Sequence, residues 1–518
     1  MNPIKETESL CPECLSVVPA TIYEDGGRVY IKKSCPEHGE RSDLYWGDYG
    51  QYLRARRYEH IGSKLENPRT ETKRGCPFDC GICPEHKSST VLGIIDVTNR
   101  CNLRCPICFA HAGAAGYVYE PTMEQIQGMM GNLLSNSPVR TPALQLSGGE
   151  PTVREDLPEI VAMAREMGFG HVEVNSNGIR IAESVDYCRS LREAGVATVY
   201  LQFDGVTPGP YIRARGHDLL LVKVRALENL RAAGFRSVVL VPVLVRGVND
   251  SQIGSIIQFA IEHQDIVRYV NFQPVSFTGR IDKWRREEMR ITIPDLMRLA
   301  EEQTVGLIRQ SDWYPVPTVH PLTRFVRNTA GGDYVDFAAH PHCGMATYLV
   351  VDRSDVRPIT EYVDVDGFLC SLEHVNTEFE KGHRTRAKMS VALSALRRVD
   401  LGMFRRYLLP VLTKGDYDSL GKLHHNMIMI GAMHFQDPYN FDLERARRCV
   451  IHYATPDGRI IPFCTMNTIH RRAIEKKFAR PLDEGLMTPP CDVEVLTEAL
   501  SREIPEDALQ PSMLTAIR

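Results

Sequence analysis

The spacing of its cysteines constrains this chain more than any other feature: nine of the fifteen fall between positions 11 and 108. Cys76-x3-Cys80-x2-Cys83 and Cys101-x3-Cys105-x2-Cys108 repeat one spacing, and CPEC (11–14) is answered by CPEH (35–38). The N-terminus MNPIKETESL has neither the basic nor the apolar region of a secretory signal. No run of about 18 apolar residues occurs. The expectation is a cytoplasmic protein, whose thiols stay reduced. Clustered cysteines in such a chain read as metal ligands, so the fold must close several short loops onto metals.

The length of 518 residues allows two to four structural units with buried cores. Hydrophobic residues make up 43% and charged ones 24%, ordinary for a globular chain, and a net charge of −4 gives no bulk attraction to nucleic acid or acidic lipid. Four stretches are expected: a cysteine-bearing ribbon over 1–60, a short cluster segment over 61–90, a βα region over 91–300, and a mixed region over 301–518. In the third, LGIIDV (92–97), ALQLS (143–147), HVEVN (171–175), TVYLQF (198–203), SVVLVPVL (237–244) and RYVNFQ (268–273) are apolar without strict alternation. Parallel strands buried on both faces have that pattern. Between them lie helices: Thr122 and Gln125 form a capping box before Ile126, and Asp156 and Gly168 bracket another. The predicted class is α/β, a partial (β/α)6 barrel, with its site at the C-terminal ends of the strands.

The first of those strands runs into DVTNRCNLRCPICFA. Its Cys101, Cys105 and Cys108 resemble the triplet of the radical S-adenosylmethionine superfamily, although Ile107 stands where an aromatic residue is frequent. Three thiolates hold three irons of a [4Fe–4S] cluster, and the resemblance implies that the fourth iron binds S-adenosylmethionine. A zinc knuckle or an electron-transfer cluster would use the same triplet. The second strand ends in LSGGEPT, whose Gly148, Gly149 and Glu150 the resemblance assigns to the methionyl ammonium. Asn175, Asn177, Gln202 and Asp204 stand at the next strand ends, where the superfamily contacts ribose and carboxylate, and Gln273 would border the adenine.

Cys76, Cys80 and Cys83 have the matching spacing but no preceding strand, and read as an auxiliary cluster. Cys11, Cys14, Cys35 and His38 read as two knuckles joined by a hairpin around one zinc or iron ion. Cys343, Cys370, Cys449 and Cys464 flank turns and hairpins near the end of the chain, as in auxiliary-cluster regions of this superfamily. One or two auxiliary clusters are therefore expected. Cys188 reads as an inert core residue, and Cys491 has no assignment.

Taken together, the ribbon, the paired triplets, LSGGEPT and CVIHYATPDGRIIPFC resemble the archaeal tetraether lipid synthases, which join the terminal carbons of isoprenoid chains. That resemblance implies a diether lipid substrate and an electron donor such as ferredoxin or flavodoxin. A neighbouring reading is radical methylation of a pterin precursor, which would need a compact polar pocket. An iron–sulfur electron carrier or zinc-ribbon interaction module is the non-enzymatic alternative. For the lipid, Leu401, Phe404, Leu408 and Leu412 on one helical face and Met427, Met429 and Met433 would line an apolar tunnel. The basic run HRRAIEKKFAR (470–480) would meet headgroup phosphates at the membrane periphery, or serve as a solvated helix face.

Overall fold

The computed structural model describes residues 2–332, 334–352, 355–403, 426–481, 488 and 490–503. The ribbon is a four-stranded antiparallel sheet of β1 (Asn2–Leu10), β2 (Val17–Asp25), β3 (Arg28–Cys35) and β4 (Gly39–Trp46), in that order. Gly26 and Gly27 join β2 to β3 at φ +59° and +78°, the two positive angles that a tight hairpin of this hand requires. One face buries Ile22, Val29, Ile31, Tyr45 and Trp46.

The next elements are β5 (Leu92–Thr98), β6 (Tyr117–Val118), β7 (Ala143–Gly148), β8 (His171–Ser176), β9 (Thr198–Gln202), β10 (Val238–Val241), β11 (Val243–Leu244) and β12 (Val267–Pro274). Six of them form a parallel sheet in the order β5-β7-β8-β9-β10-β12. These are the six expected strands, with helices between them. The run 237–244 is split at Pro242, which has no N–H for the ladder; its carbonyl instead accepts from Gln273 at 2.8 Å. Thr122 and Gln125 form the expected capping box, and Gly168 ends its helix at φ +103°. Asp156 makes no cap bond; Arg154 takes its carboxylate at 2.6 and 2.8 Å.

The C-terminal stretch contributes β13 (Tyr314–Pro315), β14 (Gly344–Asp352), β15 (Asp355–Pro358), β16 (Met427–Met433), β17 (Ile451–Ala454) and β18 (Ile460–Pro462). These strands join the barrel sheet instead of forming one of their own. β16 adds in parallel to β12, and β17 adds in parallel to β5, so the two edges of the six-stranded sheet are both covered. β14 then pairs antiparallel with β16, and β18 with β17.

One feature offered for a lipid tunnel has another role here. Met427, Met429 and Met433 belong to β16, where Met429 pairs with Tyr269 and Tyr348 in the sheet. Leu401 is exposed, while Phe404, Leu408 and Leu412 lie outside the described residues. The basic run at 470–480 turns two of its members inward. Arg471 is buried and donates to Asp96 at 2.6 Å and Glu475 at 3.0 Å, and His470 is buried 2.9 Å from the Pro77 carbonyl. Among the described residues no helix is long and apolar enough to cross a membrane.

Candidate active site

The loop after β5 carries Cys101, Cys105 and Cys108, and two neighbours fix it. Arg280 exchanges backbone hydrogen bonds of 2.8 and 2.9 Å with Cys108, and its Nε donates to the Cys105 carbonyl at 2.5 Å. The loop after β7 docks from the other side, with Gly149 N–H donating to the Thr98 carbonyl at 2.7 Å and Glu150 N–H to that of Arg100 at 2.9 Å. The approach is so close that a Cβ on Gly148 would stand 2.1 Å from the Thr98 oxygen, and one on Gly149 2.1 Å from the Arg100 oxygen. Only glycine permits it.

Glu150 is fully buried. Its Oε1 accepts from Thr152 N–H at 3.2 Å, Thr152 Oγ1 at 2.6 Å and Ser176 Oγ at 2.8 Å, while Oε2 accepts only from Asn177 N–H at 2.7 Å. Burial pushes its carboxyl up, and those donors pull it back. A carboxylate has about four lone-pair sites, so Oε2 retains room for one more donor.

These loops open onto a cleft lined by all three thiols of the first triplet and by Gly148, Gly149, Glu150, Asn175, Asn177, Gln202 and Gln273. Asp204 is the exception among the residues expected at strand ends. It is buried behind the wall, where Arg215 grips it at both oxygens, Nε to Oδ2 at 2.7 Å and Nη2 to Oδ1 at 2.8 Å. The residue that reaches the cavity is Arg215, which sequence reasoning missed because one arginine at a helix end resembles a solvated charge. Lys223, buried beneath, donates to Gln202 Oε1 at 3.0 Å and to the Asn177 carbonyl. Burial lowers its ammonium to about 7. Across the cavity stand Phe109, Phe435 and Phe463 with Gln436 and Asn467; the Phe435 and Phe463 rings stack with centroids 3.8 Å apart.

The residues fit an iron cluster. All three thiols of one loop border the cavity, as three ligands of one cubane must, and burial raises the Cys101 and Cys105 thiols, a cost that a bound metal would offset.

Residues 95–260 match the Radical SAM superfamily, and residues 3–47 match the HMPTM N-terminal zinc ribbon domain. The 7,8-dihydro-6-hydroxymethylpterin dimethyltransferase of Methanocaldococcus jannaschii is 51% identical over 492 residues, covering 93% of this chain and 96% of that protein. The chain belongs to that radical SAM family. A GTP 3′,8-cyclase of Acidothermus cellulolyticus is 30% identical over 49% of this chain and 69% of its own length. Streptococcus suis SuiB is 16% identical, with a TM-score of 0.35 over 42% of this chain and 46% of that one.

As a radical SAM enzyme the chain uses a [4Fe–4S] cluster with S-adenosylmethionine, and the electron-carrier alternative falls away. The lipid assignment is also overturned. A relative that spans nearly the whole chain is named for a pterin, which overturns the diether lipid partner and the tetraether product, and nothing supports the membrane contact. Resemblance at the cysteine spacings could not separate the two, because those residues serve the cofactor and not the substrate.

The ribbon belongs to the zinc-ribbon type, and its geometry suits one ion. The four donor atoms of Cys11, Cys14, Cys35 and His38 lie within 4.8 Å of one another. Separations of 3.6 Å for Cys11–His38, 3.5 Å for Cys35–His38 and 4.0 Å for Cys14–Cys35 match the roughly 3.5–3.8 Å edge of a zinc tetrahedron. Among the described residues, neither other cysteine set contracts to this spacing. Cys343, Cys449 and Cys464 gather around buried Arg445. Its Nη2 donates to the His434 carbonyl at 2.7 Å, while Nε and Nη1 find no oxygen or nitrogen acceptor among the described residues. Cys370 is not brought to them. It stands exposed on the helix Val365–Glu380, whose Leu372, Val375 and Phe379 pack elsewhere. Cys188 is buried, with Sγ 3.5 Å from the Ile181 carbonyl, and half-buried Cys491 donates its N–H to Asn102 at 2.9 Å.

Proposed function

We propose that this chain methylates a reduced hydroxymethylpterin by radical chemistry. The observation that carries the reading is the 51% identity over 93% of the chain to the dimethyltransferase. The cavity supports it. Stacked Phe435 and Phe463 offer an apolar face to a flat bicyclic ring, and the amides of Asn467, Gln436, Gln273 and Asn175 offer donors and acceptors to its edge. When bound, the cluster and one S-adenosylmethionine would supply the 5′-deoxyadenosyl radical that takes a hydrogen atom from the C–H bond to be methylated; the methyl itself would come from a second S-adenosylmethionine or another one-carbon donor, with the reductant balancing the electrons.

The chain's own residues prepare the place. Arg280 sets Cys105 and Cys108, Gly148 and Gly149 let the β7 loop close on the cysteine loop, and Glu150 Oε2 would take one ammonium N–H. Gln202 and Asn177 are positioned for ribose or carboxylate, both anchored from below by Lys223.

We further assign Cys76, Cys80 and Cys83 to one auxiliary cluster, and Cys343, Cys449 and Cys464 to another. Arg445 supports the second: its Nη2 donates to the His434 carbonyl at 2.7 Å, but Nε and Nη1 of this buried cation find no oxygen or nitrogen acceptor among the described residues, which suits an anionic group beside it. The first three thiols border a cavity of about 250 Å³ together with Glu85, His86 and Arg447.

The test is an anaerobic incubation with S-adenosylmethionine, a low-potential reductant and 7,8-dihydro-6-hydroxymethylpterin, followed by mass spectrometry. One and two added methylene masses on the pterin are expected, together with 5′-deoxyadenosine. Pterin of unchanged mass after deoxyadenosine has accumulated would refute the substrate assignment.

A further inference from the structure

The two cysteine triplets share more than their spacing. Each is followed at the same distance by a histidine, giving Cys76-x3-Cys80-x2-Cys83-x2-His86 and Cys101-x3-Cys105-x2-Cys108-x2-His111. The backbone turn is also shared, with His86 N–H donating to the Cys83 carbonyl at 3.0 Å and His111 N–H to that of Cys108 at 3.2 Å. The rings part company. His111 is exposed and does not line the main cavity, so nothing on that loop closes the fourth iron position. His86 is only 6% exposed and lines the second cavity beside its three thiols.

The setting of the His86 ring fits a ligand. Its Nε2 lies 2.9 Å from the Cys449 carbonyl, 3.0 Å from Ser88 Oγ and 3.1 Å from His452 Nε2. A carbonyl only accepts, so Nε2 carries the proton and Nδ1 keeps its lone pair. Among the described residues Nδ1 has no hydrogen-bond partner. A histidine that donates one ring N–H to a backbone carbonyl and leaves the other nitrogen free is the usual second-shell arrangement of a metal-bound imidazole. Glu85, the other candidate on this loop, is more exposed and faces Arg447 at 3.5 Å.

We propose that His86 Nδ1 is the fourth protein ligand of the cluster held by Cys76, Cys80 and Cys83, an inference that rests on the auxiliary-cluster assignment above. The consequence is a division of labour between two loops of one sequence pattern. The first triplet leaves an iron open to the cofactor; the second is closed, binds no substrate, and passes electrons. Exchanging a thiolate for a neutral imidazole lowers the cluster's negative charge and raises its potential, as histidine ligation does in Rieske centres. The acceptor of the His86 proton is the carbonyl of Cys449, so one hydrogen bond joins the two auxiliary sites.

The experiment uses the full chain with Cys101, Cys105 and Cys108 changed to alanine, reconstituted anaerobically and reduced. Pulsed electron paramagnetic resonance, with and without ¹⁵N-labelled histidine, reads nitrogen bound to a cluster. A strong histidine nitrogen coupling is expected, together with its loss in His86→Cys at unchanged iron content. The potential of that cluster should fall in the same variant. A coupling that persists in His86→Cys, or is absent from the parent, overturns the ligand assignment. A separate variant with Cys76, Cys80 and Cys83 all changed to alanine should lose about four irons. Undiminished iron there would overturn the cluster itself, and the ligand with it; lost iron without nitrogen coupling in the parent would overturn only His86.

Discussion

Replacing Asp204 by leucine should be among the most damaging single changes in the barrel that touch no cofactor. Its carboxylate is fully buried and receives both arms of Arg215, the Val243 N–H at 3.2 Å and the Gln202 amide. Removing it strands a guanidinium that among the described residues has no other carboxylate, its further partners being the Ile107 carbonyl at 3.1 Å and the Cys105 thiol. Breaking a buried pair from one side costs about 3–5 kcal/mol. Against a typical total of roughly 5–15 kcal/mol, that is a third or more of the stability. Changing both residues to leucine removes the stranded charge along with its partner. The double variant should then lie only about 2–4 kcal/mol below the parent, through the lost bonds to Ile107, Val243 and Gln202. Urea unfolding under anaerobic conditions, followed by far-ultraviolet circular dichroism, gives the three differences and hence the coupling energy. If the double variant were as unstable as the sum of the two singles, the pair would not be coupled, and the account of Asp204 as Arg215's counter-ion would fail.

Two further outcomes follow from the same site. Gly149→Ala places a Cβ 2.1 Å from the Arg100 oxygen, so the loop must leave the cysteine loop; iron at the first triplet and deoxyadenosine formation should both fall at least tenfold, and a variant with normal cleavage would contradict the close approach. Burial holds Lys223 at about 7, below its unfolded value, so the unfolded chain binds more protons between that pH and the ordinary lysine range, and this residue's contribution to stability rises as pH rises through that window. The burial penalty is fully present below it. Lys223→Met should therefore gain less stability than the parent between about pH 7 and 10, by at most about 5 kcal/mol, and parallel curves for the two proteins would refute the shift.

The strands of the barrel were legible because burial on both faces leaves a continuous apolar run, and the triplets because a cluster dictates ligand spacing. Less was legible where meaning depends on a distant partner. MIMIGAM at 427–433 is an apolar run like the others, but nothing local says that it pairs with Tyr269–Phe272 at the open edge of the sheet. Arg215 and Lys223 carry no signal beyond being basic residues in helices. Cys370 sits in VDGFLCSLEHV, whose helical period argues against its joining cysteines on hairpins, yet nearness in sequence made it look like one of their set. The substrate was the least legible feature, because the motifs that stand out belong to the cofactor.

One short turn ties the sites together. β17 lies against β5, whose end carries the first cysteine loop, and β18 folds back on β17. The chain leaving β18 reads Pro462, Phe463, Cys464. Pro462 borders the cavity of the second triplet, and Phe463 borders the main cavity, stacked on Phe435. Cys464 stands with Cys343 and Cys449 by Arg445, and accepts the Gln436 N–H at 3.3 Å. Three consecutive residues thus each face a different site, so the separations between those sites are set by covalent geometry and not by the packing of independent domains. A C-terminal unit docked through a flexible linker could not hold them so. On the auxiliary-cluster proposal, building β16 and β17 into the two edges of the barrel sheet keeps those cysteine sites at a fixed distance from the main cavity.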